Sequence, residues 1–282
     1  MLDIKERLKV NAEVVEKALE SYYAENDPDF QGLIDAQKYG LLGGGKRIRA
    51  LLALELCRIF SGDYDLALPY ACAIEMIHAS SLIHDDMPCM DNDDIRRGKP
   101  STHKQFGESM ALLSGDAMMT KAFKVIADNS RLPAQSNIKA VAILAESTGD
   151  SGMLAGQAID IKAATEKLDF NTLVRLHKLK TGKLISASAK LGCVAAGICE
   201  NDERYSASIK YAESVGLAFQ IVDDILDYQE GKRELNSFLS FMSVEEASKY
   251  ALELTELGIL AIAPYDDGVL TELAKYLIVR EY

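Results

Sequence analysis

Apolar residues recur along this chain with the three-and-four spacing of one helix face, in stretches covering 4–22, 51–60, 66–87, 110–128, 137–146, 168–196, 204–228, 244–260 and 270–280. Short polar or glycine-bearing turns separate most of them. Several stretches, 186–197 for example, are rich in Ala, Gly and Ser, which lets helices approach closely around a central cavity. The pattern predicts an all-α fold, a single large helical bundle with a cavity at its centre. Composition agrees: there are six prolines and no tryptophan, runs of β-branched residues are few, and Ala, Leu, Glu, Lys and Met recur throughout. No Gly/Ser-rich or Pro-rich linker divides the 282 residues, so 1–282 is expected to form one domain.

A formal net charge of −12 removes nucleic acid from the expected partners, because a basic face supplies most of that affinity. Any anionic ligand must be held by a local cluster of cations. The five cysteines (Cys57, Cys72, Cys89, Cys193 and Cys199) are odd in number and lack metal-ligand spacing, which fits a reducing, cytoplasmic setting. No secretory apolar segment is expected before the charged stretch 1–7. The longest uncharged apolar run expected is 191–199, too short to span a bilayer, so stable membrane insertion is not anticipated.

Two aspartate clusters change the picture from fold to chemistry. Asp85, Asp86 and Asp91 close the apolar stretch 66–87, and Asp223, Asp224 and Asp227 close 204–228. Asp223 and Asp227 are four apart, one turn above each other on one helix face. Asp85 and Asp91 are six apart, a poor fit to a single face, but Pro88 cannot continue the helix and marks a bulge. With two residues looped out, the four-residue spacing returns. Carboxylates crowded at the ends of apolar helices repel one another and resist burial, so a cation is expected between them. Mg²⁺ suits such a site, because it takes a few carboxylates together with waters and phosphate oxygens.

Basic groups answer the acids in three segments. The turn Gly43-Gly44-Gly45 runs into Lys46, Arg47 and Arg49, with Lys46 and Arg49 three apart on one face, a plausible phosphate cradle that lacks the P-loop pattern. Arg96 and Arg97 follow the first aspartate cluster directly, where they could serve two anions. The run His177-Lys178-Leu179-Lys180-Thr181-Gly182-Lys183 interrupts a long helical pattern, and Gly182 is read as the point of a break. Taken singly, a solvated helix start and a lysine-rich helix exterior explain the first and third as well. His78, His84, His103 and His177 all lie in or beside these segments without zinc spacing and are read as anion donors or structural partners.

Together these motifs resemble the trans-isoprenyl diphosphate synthases, the group that includes farnesyl and geranylgeranyl diphosphate synthases. Gly-Gly-Gly-Lys-Arg-Ile-Arg, Ser-Leu-Ile-His-Asp-Asp-Met-Pro-Cys-Met-Asp, Arg-Arg-Gly-Lys-Pro, Leu-Ser-Gly-Asp-Ala, Gly-Gln-Ala-Ile-Asp, Lys-Thr-Gly-Lys-Leu and Phe-Gln-Ile-Val-Asp-Asp-Ile-Leu-Asp occur in the family's order, almost end to end. The resemblance implies two aspartate motifs facing across a cavity and binding three Mg²⁺ with an allylic diphosphate. Asp85, Asp86, Asp91, Asp223, Asp224 and Asp227 would hold or support the metals. Arg96 and Lys180 would grip the allylic diphosphate, and Lys46, Arg49, His78 and Arg97 would hold isopentenyl diphosphate. Thr181 and Gln220 would place oxygens near a carbocation. The resemblance also implies a homodimer.

The bulged first motif looks like the bacterial and plant type. Ser80 and Ser81 are small where farnesyl-producing relatives tend to place an aromatic, and Met76 and Ile77, one turn deeper, could close the floor again. Geranylgeranyl diphosphate is therefore the expected product, with farnesyl diphosphate as the alternative. Two departures stand out. Ala50 replaces a common proline, and the loop after Asp227 is shortened, leaving Lys232 or Arg233 as the only candidates for a familiar lysine. That loss sustains a second reading, a weakly active or inactive partner subunit, which the intact carboxylates oppose. A terpene cyclase would need a second motif of Asn, Ser and Glu character, which is not seen.

Overall fold

The fold is organised around a helix whose first half is packed on all sides. Every residue from Tyr70 to Ile77 is buried in α4 (Leu68–Asp85), as expected of a helix packed on all sides. The computed structural model describes residues 4–24, 27–231 and 235–279. Before α4 come α1 (Ile4–Ser21), α2 (Gln31–Leu41) and α3 (Ile48–Ser61). After it follow α5 (Thr102–Phe106), α6 (Glu108–Ala127), α7 (Ala134–Thr148), α8 (Met153–Ala163) and α9 (Phe170–His177). Last come α10 (Lys183–Ala195), α11 (Glu203–Gln229), α12 (Val244–Ile262) and α13 (Val269–Val279). Among the described residues the only strands are β1 (Ile95–Arg96) and β2 (Lys99–Pro100), paired antiparallel. The all-α bundle is as expected.

Helices α3, α6 and α10 pack against α4, while α11 pairs mainly with α12 and α10. The small residues of 186–197 serve close approach: a Cβ added at Gly192 of α10 would lie 2.5 Å from the Ala53 carbonyl oxygen of α3. A buried ion pair, Arg47 to Glu75 at 3.3 Å, ties the start of α3 to the middle of α4. Glu75 also accepts from the Ala50 N–H at 3.1 Å, a bond that a proline at position 50 could not donate.

The helical stretch 64–85 has the length and composition to cross a membrane but carries Asp65, Glu75 and Asp85, and 67% of its window is buried inside the protein, so it is the core helix. Two expectations need correction. Helices α2 and α8 were not anticipated, because Gly32, Gly40 and Gly156 dilute their periodicity. Gly40 and Gly156 are close packing contacts: a Cβ at Gly40 would come within 2.6 Å of Ile83 Cδ1. Finally, 168–196 does not break at Gly182, which has ordinary helical angles (φ −61, ψ −37). The chain instead widens into a π-helical turn over Lys178–Gly182 between α9 and α10, a feature often found at functional sites.

Candidate active site

The first aspartate motif begins where α4 ends. The backbone N–H of Asp91 returns to the Asp85 carbonyl at 2.9 Å, and residues 87–90 loop out between them. The bulge expected from Pro88 is thus closed by a main-chain bond that brings Asp91 beside Asp85. Both carboxyls are held above their ordinary range, Asp85 up to about 6, first by burial and then by crowding from Asp160 and, for Asp85, from Asp91. Lys180 and Arg96 oppose the shift without cancelling it.

Asp86 turns the other way. It is buried and accepts from Arg96 Nε at 2.9 Å and from Arg96 Nη2. It does not border the main cavity, so its place is to aim Arg96 rather than to face a metal directly. Arg96 sits on the β1–β2 hairpin, whose two central residues, Arg97 (φ 53) and Gly98 (φ 73), give the turn that matches strand twist. Arg97 donates to the Gly44 carbonyl. The glycine-rich turn is shaped for it: a Cβ at Gly45 would lie 3.0 Å from the guanidinium carbon. Lys46 is exposed and lies 5.3 Å from the centre of the Tyr276 ring, off the cavity wall.

The second motif lies on α11, with Asp223, Asp224 and Asp227 all bordering the same cavity as Asp85 and Asp91. Asp224 is buried and accepts from the Phe238 N–H at 2.6 Å. Gln220, one turn earlier, borders the cavity as well. Lys232 and Arg233 lie outside the described residues.

Between the two motifs stands the π-helical turn. Lys180 Nζ lies 2.5 Å from Asp160 and 3.9 Å from Asp85. Burial pulls its pKa down, but Asp85, Asp160 and Asp91 outweigh that and leave it above its ordinary value, firmly cationic. Gly156 of α8 presses on this turn so closely that a Cβ there would lie 2.2 Å from the Lys180 nitrogen. Neither Asp160 nor Gly156 carried a role in the sequence reading, although the spacing Gly156-Gln157-x-x-Asp160 places a small residue and a carboxylate on one helix face.

The polar cavity these groups enclose measures about 830 Å³ and opens into an apolar chamber of about 400 Å³; Arg49, His78, Asp85, Lys180 and Thr181 border both. The Arg49 Nε is buried without a hydrogen-bond partner, an N–H donor left for an anion. His78 is held well below its ordinary pKa by burial and then by Arg49, Arg97, Arg47 and Arg96, and so stays neutral. His84 serves structure, its Nε2 lying 3.2 Å from the Leu112 carbonyl and packed over Gly115. His103 is also structural, buried and bonded through Nδ1 to the Ser101 hydroxyl at 3.0 Å.

Of the four positions read as setting chain length, only Ser81 borders the chamber. Ser80 is fully buried and donates to the Ile77 carbonyl at 2.8 Å, and Met76 and Ile77 are fully buried in the core; Ile77 lies one turn below Ser81 on the same side of α4 without bordering the chamber. The chamber is closed instead by Leu112 and Met119 of α6, Met153 and Leu154 of α8, and Leu184 of α10.

His177, stacked on Phe238 with ring centres 5.1 Å apart, is lowered to about 4 by burial and by Lys180, against an opposing pull from Asp160. The unfolded chain protonates this residue near 6.5 and the folded one does not, so folding stability is lost as pH falls below about 6.5 and unaffected above it. At about 1.4 kcal/mol per pH unit, His177 should cost about 2 kcal/mol at pH 5 relative to pH 7. Urea unfolding at both pH values should show His177→Phe losing less stability on acidification than wild type by that amount; equal losses would show that the imidazole is not the acid-sensitive group.

The donor set fits a hard cation. Among the described residues no three carboxylate, histidine or cysteine side chains form a ready-made cage; Asp85, Asp91, Asp223 and Asp227 instead line one polar cavity, and a hard cation can draw the rest of its shell from water and phosphate. Burial and crowding raise the pKa of Asp85 and Asp91, a cost that a cation between them would relieve.

An all-α bundle with two carboxylate motifs and a ring of cations on one cavity defines a class of enzyme acting on diphosphates, and comparison with known proteins is more specific. The polyprenyl synthetase family pattern matches residues 31–238. A geranylgeranyl diphosphate synthase from Cyanophora paradoxa is 39% identical, over 95% of this chain and 93% of the relative. A farnesyl diphosphate synthase from Geobacillus stearothermophilus is 43% identical, over 83% of this chain and 78% of the relative. The crystal structure of an FPP/GFPP synthase from Zymomonas mobilis, in its apo form, superposes with a TM-score of 0.90 at 35% identity, covering 98% of this chain and 99% of that one. The chain belongs to the polyprenyl synthetase family.

Proposed function

We propose that the protein condenses isopentenyl diphosphate with an allylic diphosphate to give a short-chain trans-prenyl diphosphate, geranylgeranyl diphosphate by preference. The observation that carries this reading is the continuity of the two chambers, a polar one with both aspartate motifs and an apolar one leading away from it, with Lys180 and Thr181 at their junction. Bound Mg²⁺, three ions by family resemblance, supplies the charge that makes the allylic diphosphate a leaving group. Asp85, Asp91, Asp223 and Asp227 would hold it, with Asp86 and Asp224 supporting from behind. Arg96, oriented by Asp86, and Lys180 grip the allylic diphosphate. Arg49 and neutral His78 offer N–H donors to isopentenyl diphosphate, and the family resemblance adds Arg97 and Lys46, which stand off the cavity wall. Thr181 and Gln220 present oxygens to the developing positive charge.

Incubating the purified protein with Mg²⁺, isopentenyl diphosphate and each allylic primer in turn tests the reading, and no turnover with any primer would refute it. The same assay separates a synthase from an inactive partner subunit. The position that tests product length is Ser81, since it borders the chamber whereas Ser80 does not. Ser81→Phe is expected to shift the product from twenty carbons to fifteen on chromatography; an unchanged product would place the floor elsewhere. The 43% identity to a farnesyl diphosphate synthase supports the farnesyl alternative for the wild type. A homodimer in the cytosol completes the proposal: Leu112 and Leu113 are exposed on α6, an apolar face a second copy could cover, and all five cysteines are free thiols.

A further inference from the structure

The short segment that follows the second aspartate motif converges on the active site from three directions. Asn236 uses its whole amide group: Oδ1 accepts from the Leu168 N–H at 2.7 Å, and Nδ2 donates to the carbonyls of Ala163 at 2.6 Å and Glu166 at 2.7 Å. Ala163 is the last residue of α8, the helix that presents Asp160 to Lys180 and Gly156 to the π-helical turn. Two residues on, the Phe238 N–H donates to Asp224. The fully buried Phe238 ring stacks on His177, the residue leading into that turn, and meets Phe170 and Tyr250 edge-on, with centres 6.1 and 6.5 Å away. Leu235 and Asn236 also border the polar cavity.

We propose that Asn236 and Phe238 are positioning residues that lock the second aspartate motif to α8 and to the Lys180 turn, so that the shortened segment holds the two halves of the diphosphate site in register. The proposal rests on the diphosphate chemistry proposed above. The backbone of residue 238 orients Asp224 directly, and a single side-chain amide satisfies the carbonyl end of α8, which would otherwise be free to shift. Partners that orient a ligand from behind commonly change affinity or activity by about 10- to 100-fold when removed.

The test is Asn236→Ser, whose side chain is too short to reach the α8 carbonyls, with Asn236→Asp retaining only the acceptor. Calorimetric binding of inorganic diphosphate in saturating Mg²⁺ should weaken about tenfold or more in Asn236→Ser and at least as much in Asn236→Asp, whose carboxylate cannot donate to the α8 carbonyls. In turnover, kcat and the KM for the allylic substrate should change while the KM for isopentenyl diphosphate does not, because its expected contacts lie on α3, α4 and the hairpin. Wild-type diphosphate affinity in Asn236→Ser, or a KM change confined to isopentenyl diphosphate, would overturn the proposal. Should Asn236→Ser fail to fold by circular dichroism, Phe238→Leu is read in its place, with the same binding loss expected and unchanged binding again overturning the proposal. Wild-type protein that binds diphosphate but turns over no primer would defeat the synthase reading and leave this inference to the binding result.

Discussion

Asp85→Asn should lower kcat/KM on the order of a thousandfold, about 4 kcal/mol of transition-state stabilisation, while making the metal-free protein more stable. The two effects share a cause. Burial and the neighbouring Asp91 and Asp160 push Asp85 up to about 6, so at pH 7 its ionised form is a cost to folding that the unfolded chain does not bear. The sign is that of a raised carboxylate: the penalty is absent below the unfolded pKa near 4 and fully present above about 6. Removing the charge should therefore recover about 2 kcal/mol at pH 7, reduced from the full shift because the group is partly exposed. Steady-state kinetics with thermal denaturation in chelator checks both, and a variant that loses stability together with activity would show that Asp85 supports the fold rather than the chemistry.

The second large effect is expected at Gly156. Because a Cβ there would meet the backbone nitrogen of Lys180 at 2.2 Å and its Cα at 2.6 Å, Gly156→Ala can be accommodated only by moving α8 or the turn that carries Lys180 and Thr181. A displacement of about 1 Å in a positioning element costs on the order of a hundredfold in rate, and overpacking adds about 1 to 3 kcal/mol of destabilisation. Gly182→Ala supplies the contrast. Gly182 is helical and its nearest neighbour to a new Cβ is 3.6 Å away, so activity should persist and stability should hold or rise by up to about 1 kcal/mol. Kinetics of the two variants side by side would decide it, and equal activity in both would place the constraint elsewhere.

These glycines also mark where the sequence was legible. Periodicity carried the long helices, because α4, α6, α10 and α11 bury wide apolar faces whose spacing survives in one dimension. The aspartate motifs and the bulge at Pro88 were readable because repulsion between near neighbours in sequence demands a cation and a turn. The division of labour between Asp85 and Asp86 was not legible: adjacent residues on a helix end point about a quarter-turn apart, and only three dimensions show that Arg96 hydrogen-bonds to Asp86. The same holds for Ser80 against Ser81: one is fully buried and the other borders the apolar chamber. Gly182 drew attention by its place in a lysine-rich run, whereas the glycine the turn requires lies some twenty-five residues earlier on another helix. Asn236 gave no signal at all, since its value lies in three backbone groups about seventy positions away.

The loop-out of residues 87–90 has a consequence for how such a site can diversify. Its two ends are pinned by the Asp91-to-Asp85 main-chain bond, so the spacing of the carboxylates is independent of what fills the loop. Cys89 and Met90 within it border both chambers. The protein thus has a small replaceable cassette at the junction of its reacting and accommodating spaces, in which side chains can be exchanged to reshape the passage for the growing hydrocarbon without retuning the groups that bind charge.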